Sequence, residues 1–484
     1  MDKCVTIMNV IFLTLSKIQN IEGRGLYSDL MRKFRDEGHD VYIVCPVERR
    51  EGLYTSLIDC NGVKILNVKT LNVKKTNVVE KGLCTLLLEN QYIKAIKKYL
   101  SNVSFDLITY STPPITFTNV VRYLKKRNPQ AISYLQLKDI FPQNAVDLGM
   151  LVASPKPSPQ RKGLKNTVMA LPKYVLYKYF RKKEVALYKN SDYIGCMSPA
   201  NVEFVRIHNP YYPADHVEVA PNSIELTNTD GTDDTDKNNQ ELVNSRINTS
   251  TSKDTKEAER LLKEKNERYY IRTKYGLPTD MPIFIYGGNL GKPQGIDYLI
   301  RCLNANKNRW DCYFVVVGNG TEYGKLKAWY DNLLCKQSEQ ARARSATTGD
   351  ACLSKNLNDN LNVKVMQRLP KEDYDMLVKY CDVGLIFLDH RFTIPNYPSR
   401  LLSYLENRMT IICATDVNTD IGRIAEENGY GYWCESVKPE DFTALVDKML
   451  ASDRKAMGER GYEFLKQNYL VEHTYNAIMR HLKP

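Results

Sequence analysis

The chain has 484 residues, 43% apolar and 26% charged, which is the composition of a soluble globular protein and too long for a single core. It has no run of eighteen apolar residues, which excludes a spanning helix. Its twelve cysteines and six histidines are scattered singly, without CxxC pairs, which excludes a disulfide frame or zinc site and reads as core usage in a reducing cytoplasm.

The formal net charge is +12, and ten Lys or Arg face one Glu between Pro155 and Lys189, so nine of those charges lie in one stretch. A basic surface favours an anionic partner: a membrane face, nucleic acid or a phosphorylated substrate.

In chain order, Val5–Leu15 lacks the basic leader and cleavage site of a signal peptide and reads as the first buried strand. A loop with Gly23 and Gly25 leads into a helix over Leu26–Glu37. Strands are expected at Val41–Cys45, Val63–Val68, Leu107–Tyr110, Ile132–Leu137 and Tyr193–Met197, with helices near Leu86–Leu100, Thr116–Arg127 and Val175–Tyr188. The second half repeats the pattern. Ile283–Tyr286 is followed by the loop GGNLGKPQG (Gly287–Gly295) and a helix over Ile296–Asn304; strands follow at Phe314–Val317 and Val363–Met366, then a helix over Lys371–Lys379.

The stretch Asp382–Asp416 reads as strand, loop, helix, strand, the loop ending in Asn396-Tyr397-Pro398-Ser399-Arg400. Pro398 and Ser399 suit a helix start. A helix start beyond a parallel strand is an anion site, and an exposed Arg400 there can grip two phosphate oxygens or simply be solvated. Helices close the chain at Pro439–Ala451, Arg454–Asn468 and Val471–Leu482.

The fold class is therefore α/β: two doubly wound, Rossmann-like domains facing across a cleft. They span residues 1–222 and 268–460. A polar, disordered insert and linker is expected over 227–265, a second polar insert over 338–360, and C-terminal helices over 461–484 crossing back to the first domain.

Four segments carry a family resemblance: Gly287–Gly295, Lys138–Ala145 (KDIFPQNA), Cys196–Asn201 (CMSPAN) and Asn396–Arg400 with its helix. Together they resemble glycosyltransferase family 4, retaining enzymes of the GT-B fold, and most closely the bacterial capsule and O-antigen sugar transferases. The resemblance implies transfer of a sugar from a nucleotide-sugar donor, UDP-linked, to a lipid-diphosphate-linked glycan, with no metal. A GT-B nucleotide-sugar epimerase, or a transferase with a soluble acceptor, stays open as the alternative. No nucleic-acid partner is expected, because the charge comes without a recognition motif.

The sequence departs from the common family pattern. Asn289 and Gln294 stand where an Arg and a Lys usually grip the diphosphate, leaving Lys292 and Arg400 to supply charge. Pro395 and Ser403 stand where two glutamates are usual, and Glu406, one turn beyond Ser403, either takes the ribose hydroxyls or is a surface residue. On the donor side the resemblance implies Gly288, Asn289, Lys292, Gln294, Gly295, Asn396, Pro398, Ser399, Arg400, Ser403 and Glu406, with the base against Arg368 and Leu369.

On the acceptor side Gly23, Gly25, Ser111 and Thr112 line the cleft, and Asp139, at a strand's carboxyl end beside Lys138, orients or deprotonates the acceptor or merely caps a helix. Leu176, Tyr179, Phe180 and Leu187 recur at helical spacing among Lys173, Lys178, Arg181, Lys182 and Lys183. That pattern suits an anionic bilayer, and so a cytoplasmic protein held peripherally on the inner face of the membrane, or a domain helix whose apolar side is core, and both readings can hold at once.

Overall fold

Apolar runs of four to eight residues flanked by glycine loops become parallel strands, and the helices between them cover both faces. The structure is a computed structural model that describes residues 7–72, 78–154, 170–226, 253–348 and 361–482. Residues 227–252 and 349–360 of the two expected inserts, and residues 155–169 of the basic stretch, lie outside these.

The first half runs β1 (Asn9–Leu13), α1 (Leu26–Asp36), β2 (Asp40–Glu48), β3 (Ser56–Cys60), β4 (Val63–Thr70), α2 (Val78–Tyr99), β5 (Leu107–Ser111), α3 (Thr118–Arg127), β6 (Ile132–Leu137), α4 (Gln143–Asp147), α5 (Ala170–Lys189), β7 (Tyr193–Cys196), α6 (Pro199–His208) and β8 (Val217–Val219). Its sheet has the order β3-β4-β2-β1-β5-β6-β7-β8. Every pairing is parallel except β3 with β4. The edge strand β3 is half-exposed, so it lacks the apolar run that marks its neighbours.

The second half runs α7 (Lys253–Lys274), β9 (Ile283–Asn289), α8 (Ile296–Asn306), β10 (Tyr313–Asn319), α9 (Tyr323–Thr348), β11 (Val363–Gln367), α10 (Lys371–Lys379), β12 (Val383–Phe387), α11 (Arg400–Glu406), β13 (Thr410–Thr415), α12 (Ile421–Glu427), β14 (Gly431–Glu435), α13 (Pro439–Leu450), α14 (Arg454–Asn468) and α15 (Val471–Met479). Its six strands are all parallel, in the order β11-β10-β9-β12-β13-β14.

Strand order reverses beside β1 in the first sheet and beside β9 in the second. Those switch points are where an open α/β sheet leaves a crevice, and each opens onto one of the glycine loops.

Two stretches expected to be inserts are partly helical. Residues 253–265 form the first half of α7, and residues 338–348 continue α9. Their Lys, Glu, Ala, Leu, Gln and Arg are strong helix formers, which outweighs their polarity. The second half of α7 is also anchored. The wholly buried Arg272 reaches Asp382 at 2.7 Å and the Tyr380 carbonyl at 2.9 Å, and Arg268 meets the same aspartate at 2.7 Å.

The halves are joined by packing. Leu388, Phe392 and Ile394, from the loop after β12, belong to the apolar cluster of the first half. Val471, Tyr475 and Ile478 of α15 pack with Leu30 and Phe34 of α1. Polar contacts tighten the joint: the Ser198 hydroxyl donates to Asp420 at 2.7 Å, the Asn201 amide to the Pro395 carbonyl at 2.8 Å, and the Thr393 N–H to Asp147 at 2.8 Å.

Candidate active site

A cleft of about 720 Å³ lies between the halves at the two switch points. Its floor on the second half is the end of β9. Gly287 and Gly288 are there for different reasons. A Cβ on Gly287 would lie 1.7 Å from the Tyr374 hydroxyl oxygen, whereas Gly288 has φ +122, a conformation that side chains rarely adopt. Gln294 stitches the loop, accepting from the Asn289 amide at 3.1 Å and from the Gly291 N–H at 3.1 Å.

Arg400 opens α11 and reaches back over this floor. Its guanidinium carbon sits 4.3 Å from the centre of the Tyr286 ring. Tyr374 and Tyr404 stand close by, and the Tyr404 hydroxyl donates to the Ile285 carbonyl at 3.1 Å. The expectation of an exposed arginine is corrected: Arg400 is mostly buried, and its Nη1 is buried with no hydrogen-bond partner.

Ser399 precedes the helix without capping it, and α11 has only seven residues. Its dipole is therefore short, and the positive charge here comes from the side chain. Asn396, Pro398 and Ser403 line the same wall.

The opposite wall is built by the ends of β5 and β6. The Thr112 hydroxyl accepts from the N–H groups of Lys138, at 2.9 Å, and Asp139, at 3.1 Å. Two charged side chains are thereby set at a strand's carboxyl end. The Asp139 carboxylate takes a 2.6 Å bond from the Asn144 amide, yet burial pushes its pKa up to about 6. Burial likewise pushes the Lys138 amine down to about 7. Among the described residues Lys138 has no carboxylate within 4 Å. Gly25 begins α1 at the rim, its N–H bonded to Asp29 at 3.0 Å.

Other expected residues fall elsewhere. Gly23 and Ser111 do not line the cleft: Gly23 is exposed, its carbonyl accepting from Ser28 at 2.6 Å, and Ser111 is buried. Lys292 and Gly295 line a different cavity, because the 3-10 turn Lys292–Gln294 carries Lys292 away from the cleft. Arg368 is exposed past the edge strand β11, and Leu369 packs into an apolar cluster. The wall expected from them is formed by Lys371, Tyr374 and Asp375 of α10.

Sequence reasoning also missed Arg24. It lies between the two glycines and spans the cleft to Glu406 at 2.6 Å, so Glu406 is held by a cation of the other half. The signal available was a cation flanked by two glycines at a strand-to-helix turn. Among the described residues, no group of three or more His, Cys, Asp or Glu could hold a metal ion.

No family model matches the chain. A stretch of 187 residues is 24% identical to a probable glycosyltransferase, WbjE, of Pseudomonas aeruginosa; it covers 39% of this chain and 40% of that protein, so the chain spans well under two thirds of its curated relative. Among solved structures, Anabaena HepE in complex with UDP and glucose matches 98% of this chain and 99% of its own at 13% identity, with a TM-score of 0.55. WaaG, a glycosyltransferase involved in lipopolysaccharide biosynthesis, matches 97% and 99% at 13% identity, with a TM-score of 0.53. These likenesses establish the fold as two Rossmann-like domains in the GT-B architecture.

Proposed function

We propose that the protein is a glycosyltransferase that moves a hexosyl or N-acetylhexosaminyl group from a UDP-linked donor to a lipid-diphosphate-linked glycan, with retention, in capsule, O-antigen or exopolysaccharide synthesis. The observation that carries this reading is the Arg400 guanidinium, buried beside the Gly287–Gly288 floor with one N–H edge unmatched. A buried donor without a partner is costly, and an anionic oxygen removes that cost. HepE holds UDP and glucose on the same fold, and WaaG and WbjE are described as glycosyltransferases, which supports a nucleotide-sugar donor.

In the reaction the bond between the anomeric carbon and the departing phosphate oxygen breaks, and the acceptor oxygen bonds to that carbon. Arg400 and the backbone at Gly288 stabilise the negative charge that accumulates on the diphosphate. Asp139, ionised near neutral pH, accepts a hydrogen bond from the acceptor hydroxyl and orients it. With retention the acceptor attacks the face from which the diphosphate leaves, and the diphosphate oxygen takes the acceptor's proton. Lys138 meets phosphate charge in the same cleft.

We also propose that α5 rests on an anionic bilayer on the inner face of the membrane, bringing a lipid-linked acceptor to the cleft. Among the described residues no helix is long and apolar enough to cross a membrane. The helix presents differently from the expected pattern. Phe180 packs edge-on against Phe141, with ring centres 4.9 Å apart, and Leu187 is core, whereas Leu171, Val175, Leu176 and Tyr179 are exposed. Arg181 pairs with Glu184, and Lys183 with Glu89. Lys178 and Lys182 remain exposed beside the apolar face, the combination that an anionic surface attracts.

Three outcomes are expected. Arg400→Met keeps a stem over Tyr286 and removes the unmatched donors. It is expected to melt at or above the parent temperature, while UDP affinity falls about ten-fold or more and turnover about ten- to several-hundred-fold; Arg400→Lys restores only part. Calorimetry with UDP and a donor-turnover assay read this, and unchanged values would remove the donor site from this cleft.

The second outcome concerns pH. Asp139 must be ionised, so kcat/KM falls as pH drops through about 6. Lys138 must be charged, so it falls again as pH rises through about 7. Asp139→Asn should abolish the acid limb and Lys138→Arg the alkaline limb; a flat profile in the parent would contradict both roles.

Third, changing Lys178 and Lys182 to Gln should weaken binding to phosphatidylglycerol vesicles by about 1 kcal/mol per charge, and Val175→Ser with Leu176→Ser should weaken it further. Vesicle co-sedimentation indifferent to all four changes would end the membrane role.

A further inference from the structure

A second cavity, about 420 Å³, opens on the far side of the glycine loop from the main cleft. It lies beyond the carboxyl ends of β12 and β14, between the first turn of α8 and residues 389–391. Nothing in the proposed transfer uses it. Its size is that of a small-metabolite site.

Three observations give its chemistry. The first is charge. Lys292, Arg301, Lys325 and Arg391 line it against Asp297, Glu322 and Asp389. Asp297 and Glu322 share Lys325, at 2.5 Å and 4.0 Å, and Arg391 is 2.7 Å from Asp389. Lys292 and Arg301 have no carboxylate within 4 Å among the described residues, and the four cations of the lining outnumber its three carboxylates by one.

The second is backbone. The eleven-residue helix α8 starts at Gly295 with no side-chain cap, so its first-turn N–H groups lack a side-chain acceptor. The third is Ser436, which follows β14 in the cavity wall. It is wholly buried, and its hydroxyl has no hydrogen-bond partner. A buried hydroxyl left unmatched is destabilising, and an oxygen seated in the cavity supplies its partner.

We propose that this cavity binds a small sugar phosphate, with the phosphate held by Arg301, Lys292, the α8 N-terminus and Ser436. The paired carboxylates keep free lone pairs and accept from the sugar hydroxyls.

The test is titration of the full chain with glucose 1-phosphate, by calorimetry and thermal shift. Binding is expected in the parent, with inorganic phosphate competing. Arg301→Gln should weaken it about ten-fold or more. Ser436→Ala should weaken it several-fold while the unliganded protein melts at or above the parent temperature. Arg400→Met should bind glucose 1-phosphate like the parent, and Arg301→Gln should bind UDP like the parent. Absence of glucose 1-phosphate binding overturns the proposal. So does failure of inorganic phosphate to compete. Binding lost with Arg400→Met and kept by Arg301→Gln overturns it too, since the ligand then sits in the donor cleft. None of these results bears on whether UDP binds at Arg400.

Discussion

Withdrawing a guanidinium from water without a counter-ion is costly, and the second half of this chain holds the mostly buried Arg400 with no carboxylate partner among the described residues. Tyr286 lies under Arg400 at 4.3 Å, a contact that returns roughly 2 kcal/mol when desolvated. Gly287 has no side chain because the Tyr374 hydroxyl fills that space. The short helix α11 carries the arginine back over the end of β9. Stacking and close packing fix the plane of the fork, and Nη1 is left without a hydrogen-bond partner among the described residues. The proposed donor role of this wall rests on that unmatched nitrogen.

The wall contributed by the first half relies on a different device. Thr112 binds two consecutive N–H groups and so fixes where Lys138 and Asp139 leave β6. Burial then moves the two groups in opposite directions, the carboxyl up and the amine down, because it disfavours the charged form of each. The halves face each other because apolar residues of the loop after β12 enter the first half's core. Arg24 and Glu406 bridge the opening itself, and α15 returns to α1.

Much of this was legible in the residues. Buried parallel strands announce themselves as apolar runs, so the two sheets, the switch-point loops, Asp139 and Arg400 could be read directly. What failed depends on contacts distant in sequence. Tyr374 and Lys371 reach the cleft only because β11 is an edge strand and α10 folds back, and Arg24 matters because Glu406 stands opposite. Lys292 was misplaced because a single 3-10 turn reverses the direction of a side chain, and spacing cannot show that. The apolar residues of α5 divide between core and surface for a related reason: periodicity reports that a helix has a face, not which of its residues lie inside. Residues 253–265 were read by polarity, when their helix propensity and the grip of Arg268 and Arg272 on Asp382 decide their structure.

The most direct measurement is a crystal structure of the protein with UDP. The diphosphate is expected against Gly288, with a phosphate oxygen within hydrogen-bond distance of Arg400 Nη1 and the sugar-facing side open toward Asp139. A nucleotide seated elsewhere, with Arg400 Nη1 still unmatched, would contradict it.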